Sequence, residues 1–111
     1  METIGIEDFN KVEMRTGTIV RAEPFPEARK PAMKLWIDFG ELGILKSSAQ
    51  ITAYYDVASL PGTQVIGVVN FPVKQVGPFL SECLVLGIPD ESGKVVLLQP
   101  ERAVKNGLKI S

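Results

Sequence analysis

Histidine is absent from the 111 residues, and cysteine occurs once, as Cys83. The first absence removes the side chain most used as general base and as metal ligand. Imidazole-dependent hydrolysis is thereby excluded. The second leaves no intrachain disulfide and no cysteine-built zinc site. Long apolar runs are missing too: none approaches the roughly 18 residues of a membrane span, so no membrane insertion is expected. Nor is there an excess of charge. Twelve Lys and Arg stand against 13 Asp and Glu, a net of −1 with an isoelectric point near 5.4. A protein that coats nucleic acid through bulk attraction would be basic, so any grip on phosphates must come from a local face. The opening Met1-Glu2-Thr3-Ile4-Gly5 carries acid where an export signal carries base. With an unpaired thiol, this gives the expectation of a reducing, cytoplasmic location.

What is present suits one small domain. A hydrophobic share of 45% and a charged share of 23% are ordinary for a globular chain and exclude global disorder. A mass of 12.1 kDa allows one core and no second domain.

Along the chain, Ile6, Phe9 and Val12 share a face at helical spacing, which predicts a short helical turn over residues 3–12. Residues 15–23 are rich in β-branched side chains, and the glycine in their midst, Gly17, predicts a bend or bulge. Pro24, Pro26 and Pro31 make the next stretch a stiff loop bearing Arg29 and Lys30. The cleanest alternation follows: Leu35, Ile37 and Phe39 point one way, Lys34, Trp36 and Asp38 the other. Further strands are expected over 44–51 and 64–70, with a short helix or turn over 52–59 and a loop over 71–82. Residues 83–88 and 95–98 flank a turn-rich loop and predict a hairpin. A turn at Asn106-Gly107 and a short strand close the chain. Several short strands with little helical periodicity argue for a small, closed, all-β barrel.

The run Phe9-Asn10-Lys11-Val12-Glu13-Met14-Arg15-Thr16-Gly17 resembles the opening of the tRNA-binding OB-fold family. That module is appended to some methionyl- and phenylalanyl-tRNA synthetases and to EMAPII-like proteins. Residues 23–28, 35–40, 68–70 and 81–82 extend the likeness in order, so that it covers about residues 8–111. It implies a five-stranded OB-fold barrel. Three blocks, 28–36, 46–52 and 79–87, are similar to a stand-alone branch of the family described as dimeric, export-related chaperones. One departure is local: Ser81-Glu82 is followed by Cys83-Leu84 where tRNA-binding members carry Gly-Met, which adds apolar surface.

An OB barrel binds extended ligands across one face, with aromatic platforms and a basic rim. Residues 11–46 hold seven Lys or Arg against five Asp or Glu, an excess of two. The candidate tRNA-binding residues are Arg15, Lys34, Lys46, Lys74 and Ser81. The candidate peptide-binding residues are Trp36, Phe71 and Phe79, the two phenylalanines lying in proline-bearing loops. Ser47, Ser48 and Gln50 offer hydrogen bonds without a base to activate a hydroxyl. Glu82 is a candidate partner for Lys74, and Cys83, opening an apolar run, is expected to be buried. No Gly-rich phosphate cradle and no catalytically spaced carboxylate pair occurs, so neither cofactor, metal nor catalytic residue is expected. Val95-Val96-Leu97-Leu98 is apolar on both faces, which points to a homodimer built from residues 1–12 and 90–111. The leading expectation is a non-enzymatic chaperone for unfolded or export-bound polypeptides. The alternative is a protein that recognises tRNA by shape through a basic face.

Overall fold

A computed structural model describes all 111 residues. A short helix α1 (Ile6–Asn10) precedes β1 (Met14–Pro24), β2 (Met33–Asp38), a 3-10 turn (Gly40–Leu42) and β3 (Ile44–Ala49). Then come β4 (Gln64–Val68), β5 (Lys74–Val76), β6 (Phe79–Ser81), β7 (Leu84–Val85), β8 (Gly87–Pro89) and β9 (Val95–Leu97). One antiparallel sheet of five strands runs in the order β3-β2-β1-β4-β7. It curls until its ends nearly meet: the amides of Glu82 and Cys83, just before β7, both donate to the Lys46 carbonyl in β3. The chain therefore forms the expected all-β, OB-like barrel. No helix is long and apolar enough to cross a membrane.

β1 is long enough to serve two neighbours. Met14–Thr18 pairs with β4, and Thr18–Pro24 pairs with β2. The register slips between Ile19 and Arg21, so the irregularity expected at Gly17 falls at Val20 instead. Gly17 answers a different need. A side-chain carbon there would sit 2.8 Å from the Phe39 ring, and one at Gly67 would sit 2.7 Å from it. Two bare backbones on adjacent strands thus make room for one ring.

The alternation read in β2 decides the core. Leu35, Ile37 and Phe39 are fully buried and join Ile19, Leu60 and Val65 inside the barrel. Burying such side chains contributes roughly 1.5–3 kcal/mol each. Their strand neighbours Lys34, Trp36 and Asp38 are half-buried on the outer face. That outer face carries the candidate residues Lys34 and Trp36.

Residues 71–82 are not a loop throughout. β5 and β6 pair across Gly77-Pro78, with Gly77 at φ +56°. A left-handed glycine followed by proline meets the demand of a tight two-residue turn, and strands of three residues are too short to show a period. The expected strand over 83–88 is likewise split: β7 stays on the barrel while β8 leaves to pair with β9. Residues 52–59 form turns rather than a helix. They are tied to the β8–β9 hairpin, where Tyr54 hydrogen-bonds Asp90 and the Tyr55 hydroxyl accepts the Leu97 amide.

The C-terminal segment lies along the half of β1 that β2 leaves free. Thr16 N donates to Leu108 O at 3.0 Å and Ile110 N to Met14 O at 2.9 Å. Helix α1 buries none of its residues; Ile4, Ile6, Ile88 and Val96 remain exposed.

Candidate binding face

Strand pairing sets the layout of the outer face. Trp36 stands opposite Arg21 on one side and Lys46 on the other; Lys34 stands opposite Glu23 and Ser48. The β5–β6 hairpin folds over these strands and inserts Phe79, which is buried. Phe79 meets Phe25 at 5.6 Å and Trp36 at 5.8 Å between ring centroids, both edge to face. This arrangement favours the quadrupoles of the rings.

Cations cover that aromatic layer. Arg21 lies 4.7 Å from the Trp36 ring, and Lys34 lies 5.1 Å from Phe25 and 5.7 Å from Phe79. Lys46 lies 5.2 Å from Phe79. Arg21 also pairs with Glu23, whereas neither Lys34 nor Lys46 joins any of the five ion pairs of the structure. Ring contact holds an ammonium in place without neutralising it. These two lysines therefore keep their charge without a carboxylate partner.

Beside this layer a cleft of about 350 Å³ opens between β3 and the residues of the hairpin. Phe71, Lys74 and Ser81 line it together with Ser48, Gln50 and Leu84. The Ser48 amide donates to Ser81 Oγ at 3.1 Å, which fastens the hairpin to β3. Ser48 and Gln50 also line a neighbouring cleft of about 390 Å³ bounded by Arg29 and Lys30. The two form one trench across the end of β3.

The structure thus divides the candidate residues. Lys34, Trp36, Lys46 and Phe79 form one cluster, and Phe71, Lys74 and Ser81 form the adjoining cleft. Arg15 stands apart, lining a separate cleft of about 220 Å³ beneath the C-terminal segment. Its guanidinium donates to Glu13 at 2.8 Å and to Gly107 O at 3.0 Å. Lys109 also binds Glu13, and hydrogen bonds from Lys109 and Arg15 hold that carboxyl below its ordinary pKa. Glu82 does not meet Lys74; its carboxylate accepts the Lys46 amide at 2.9 Å. Phe25 was missed by sequence reasoning, because a phenylalanine between two prolines gives no periodic signal.

Neither Cys83 nor Ser47 offers an activated nucleophile. Cys83 is buried, and burial pushes its thiol up to about 12, which removes it as a nucleophile near neutrality. The Ser47 hydroxyl is spent on the Cys83 carbonyl at 2.9 Å.

Residues 14–109 match the family model described as "Putative tRNA binding domain". The chain belongs to the tRNA-binding domain family. Among family members, the methionine–tRNA ligase of Methanocaldococcus jannaschii is 34% identical over 99% of this chain. That of Sorangium cellulosum is 38% identical over 95% of it. The chain spans only 17% and 15% of the length of these two enzymes, about a sixth. Solved structures correspond over their whole length. The chaperone CsaA from Bacillus anthracis has a TM-score of 0.94 and 54% identity, covering 99% of this chain and 100% of its own. The CsaA chaperone protein from Picrophilus torridus has a TM-score of 0.91 and 45% identity, covering 98% and 100%.

Proposed function

We propose that this protein is a non-enzymatic, homodimeric chaperone that holds unfolded or export-bound polypeptides in the cytoplasm. The observation that carries the reading is the full-length correspondence with the Bacillus anthracis chaperone CsaA at 54% identity. The synthetases, by contrast, share one module with it. The surface supports the same reading. Phe71, Val73, Leu80 and Leu84 are all exposed along the hairpin and its flanks, and the layer of buried Phe79 and half-buried Trp36 stiffens the base beneath them. An extended chain gains affinity from apolar contact there, while polar groups along the trench leave sequence selectivity low. Binding and release are equilibrium events. In the dimer, Ile88 and Val96, paired across β8 and β9, cover each other's copies together with the exposed Ile4 and Ile6.

The test is suppression of aggregation of a denatured model protein, with sedimentation of the protein in parallel. Phe71→Ser with Leu80→Ser is expected to abolish suppression without changing the sedimentation coefficient. Full suppression by that variant, or a monomeric wild type, overturns the reading.

The second reading, tRNA binding, is favoured by a specific observation: Lys34 and Lys46 sit on aromatic rings without acidic partners. Three phosphate contacts per subunit, from Lys34, Lys46 and Lys74, give roughly six per dimer and a salt slope of about −4 on single strands. Ser81, whose hydroxyl accepts the Ser48 amide and donates to the Cys83 carbonyl, would hold the hairpin that carries Lys74 in place. Titration of tRNA at two salt concentrations tests this; absent or salt-insensitive binding removes it.

A further inference from the structure

We propose that Asn106-Gly107 is a site of spontaneous deamidation, closed while the C-terminal segment lies on β1 and open when it lifts, and that the isoaspartyl product cannot reseat. Of the three asparagines, Asn10, Asn70 and Asn106, only Asn106 precedes a glycine. A following residue without a side chain lets its backbone nitrogen approach the asparagine amide. Gly107 N then bonds to Asn106 Cγ as the Cγ–Nδ2 bond breaks, and the displaced nitrogen leaves as ammonia with the Gly107 amide proton. Water opens the resulting cyclic imide at either carbonyl, giving an aspartyl or an isoaspartyl residue. No reactant other than water is consumed.

The folded chain holds both reacting groups. The Gly107 amide donates to Thr16 O at 2.7 Å. Asn106 Oδ1 accepts the Thr18 hydroxyl at 2.7 Å and Gln64 Nε2 at 3.2 Å. Gln64 also grips the main chain of Val104, donating to its carbonyl at 2.6 Å and accepting its amide at 3.0 Å. Thr16 Oγ1 donates to Lys105 O at 2.8 Å and accepts the Leu108 amide at 3.0 Å. The segment is thus held by hydrogen bonds rather than by packing, since Val104, Lys105, Leu108 and Lys109 all remain exposed. Segments with few buried apolar contacts open locally, well below the cost of unfolding the core.

Return is stricter than release. A side-chain carbon on Gly107 would lie 2.6 Å from Phe39 O, and one on Gly40 would lie 2.7 Å from Asn106 O. The two stretches of main chain touch there, with no room for another atom. An isoaspartyl residue inserts a methylene carbon into the main chain at that joint. The bonds from Thr16 to residues on both sides of it, Lys105 and Leu108, can no longer form together. An aspartyl residue keeps the main chain and offers its carboxylate to the same donors on Thr18 and Gln64. Only the isoaspartyl product therefore leaves the edge of β1 at Met14–Thr16 bare on that side.

The test incubates the full chain beside a synthetic peptide of residues 103–110 in mildly alkaline buffer. Peptide mapping scores loss of the amide by mass, and enzymatic methylation scores isoaspartate. The folded chain is expected to react at least about tenfold more slowly than the peptide. Thr18→Val and Gln64→Glu, which each remove a donor to Asn106, should raise the folded rate towards that of the peptide. For the wild type, a rate that climbs in urea before the global transition gives the same result without mutation. Hydrogen exchange should find the Thr16 and Ile110 amides protected in the wild type and in Asn106→Asp, and unprotected in the isoaspartyl fraction. A folded chain as reactive as the peptide overturns the gate, as does a rate that stays flat in urea until the protein unfolds. Folded variants that both react at the wild-type rate overturn the assigned contacts. An isoaspartyl fraction with full protection overturns the block on return.

Discussion

The ammonium of Lys46 lies 5.2 Å from the centroid of the Phe79 ring, while its own backbone carbonyl accepts the amides of Glu82 and Cys83. One residue thus closes the barrel with its main chain and sets a charge over the aromatic layer of the candidate face with its side chain. The two tasks separate under mutation, since truncating the side chain leaves the carbonyl where it is.

Lys46→Ala and Lys34→Ala are therefore expected to fold normally and to act on binding alone. Each lysine that meets a phosphate releases counterions, so its removal should make the slope of log affinity against log salt shallower by about 0.7–0.9. Both should weaken tRNA binding across tRNA species to a similar extent, because a phosphate contact carries no sequence information. Titrations at several salt concentrations check this; an unchanged slope would place both lysines outside the interface.

Phe71 and Phe79 share a residue type but not a role. Phe79 is 7% exposed and packs against Phe25 and Trp36; Phe71 is 51% exposed. Phe79→Ala opens a cavity beneath the hairpin and should cost about 3 kcal/mol of stability. Phe71→Ala should stay within about 0.5 kcal/mol of wild type while reducing ligand binding. Urea denaturation distinguishes the two, and equal losses would contradict the assignment.

Much of this was legible in the sequence, and the pattern of success is physical. β2 could be read because one face of it is buried, which forces apolar residues to alternate from Leu35 to Phe39. The motif run around Arg15 gave the family. The β5–β6 hairpin could not be read, since three-residue strands have no period and only Gly77-Pro78 marks the turn. The site was legible in part. Lys34, Trp36 and Lys46 lie on paired strands, so their meeting follows from register. That Phe79 would slide beneath them, and that Arg15 would be taken by Glu13 and Gly107, depends on tertiary contacts between distant segments. Local sequence carries no record of those.

The Phe39 ring is pressed between two strands, and the glycines there are sites of close approach. Gly67→Ala would place a methyl group 2.7 Å from Phe39 Cζ. Overpacking of this kind should cost about 1–3 kcal/mol. Combining it with Phe39→Leu, which withdraws the ring, should cost less than the sum of the two single changes. Thermal melts of the four proteins check the coupling; strict additivity would mean that the ring does not meet the strand.

Cys83 gives the stability a pH dependence of known sign. Burial raises its thiol from an ordinary value of about 9 to about 12, so in that window the folded protein keeps a proton that the unfolded chain releases. Stability must then fall as pH rises from about 9 towards 12, and below that range this group contributes no slope. The Tyr54 phenol, raised by its hydrogen bond to Asp90, titrates in the alkaline range too, so the wild type alone is an ambiguous reporter. The difference between wild type and Cys83→Ala isolates the thiol. Denaturation at a series of alkaline pH values should show the stability curves converging with rising pH, and the native thiol should resist alkylation at neutral pH until the protein unfolds. Rapid modification of folded protein would mean that the 82–83 segment opens readily from Lys46, and with it the seam of the barrel.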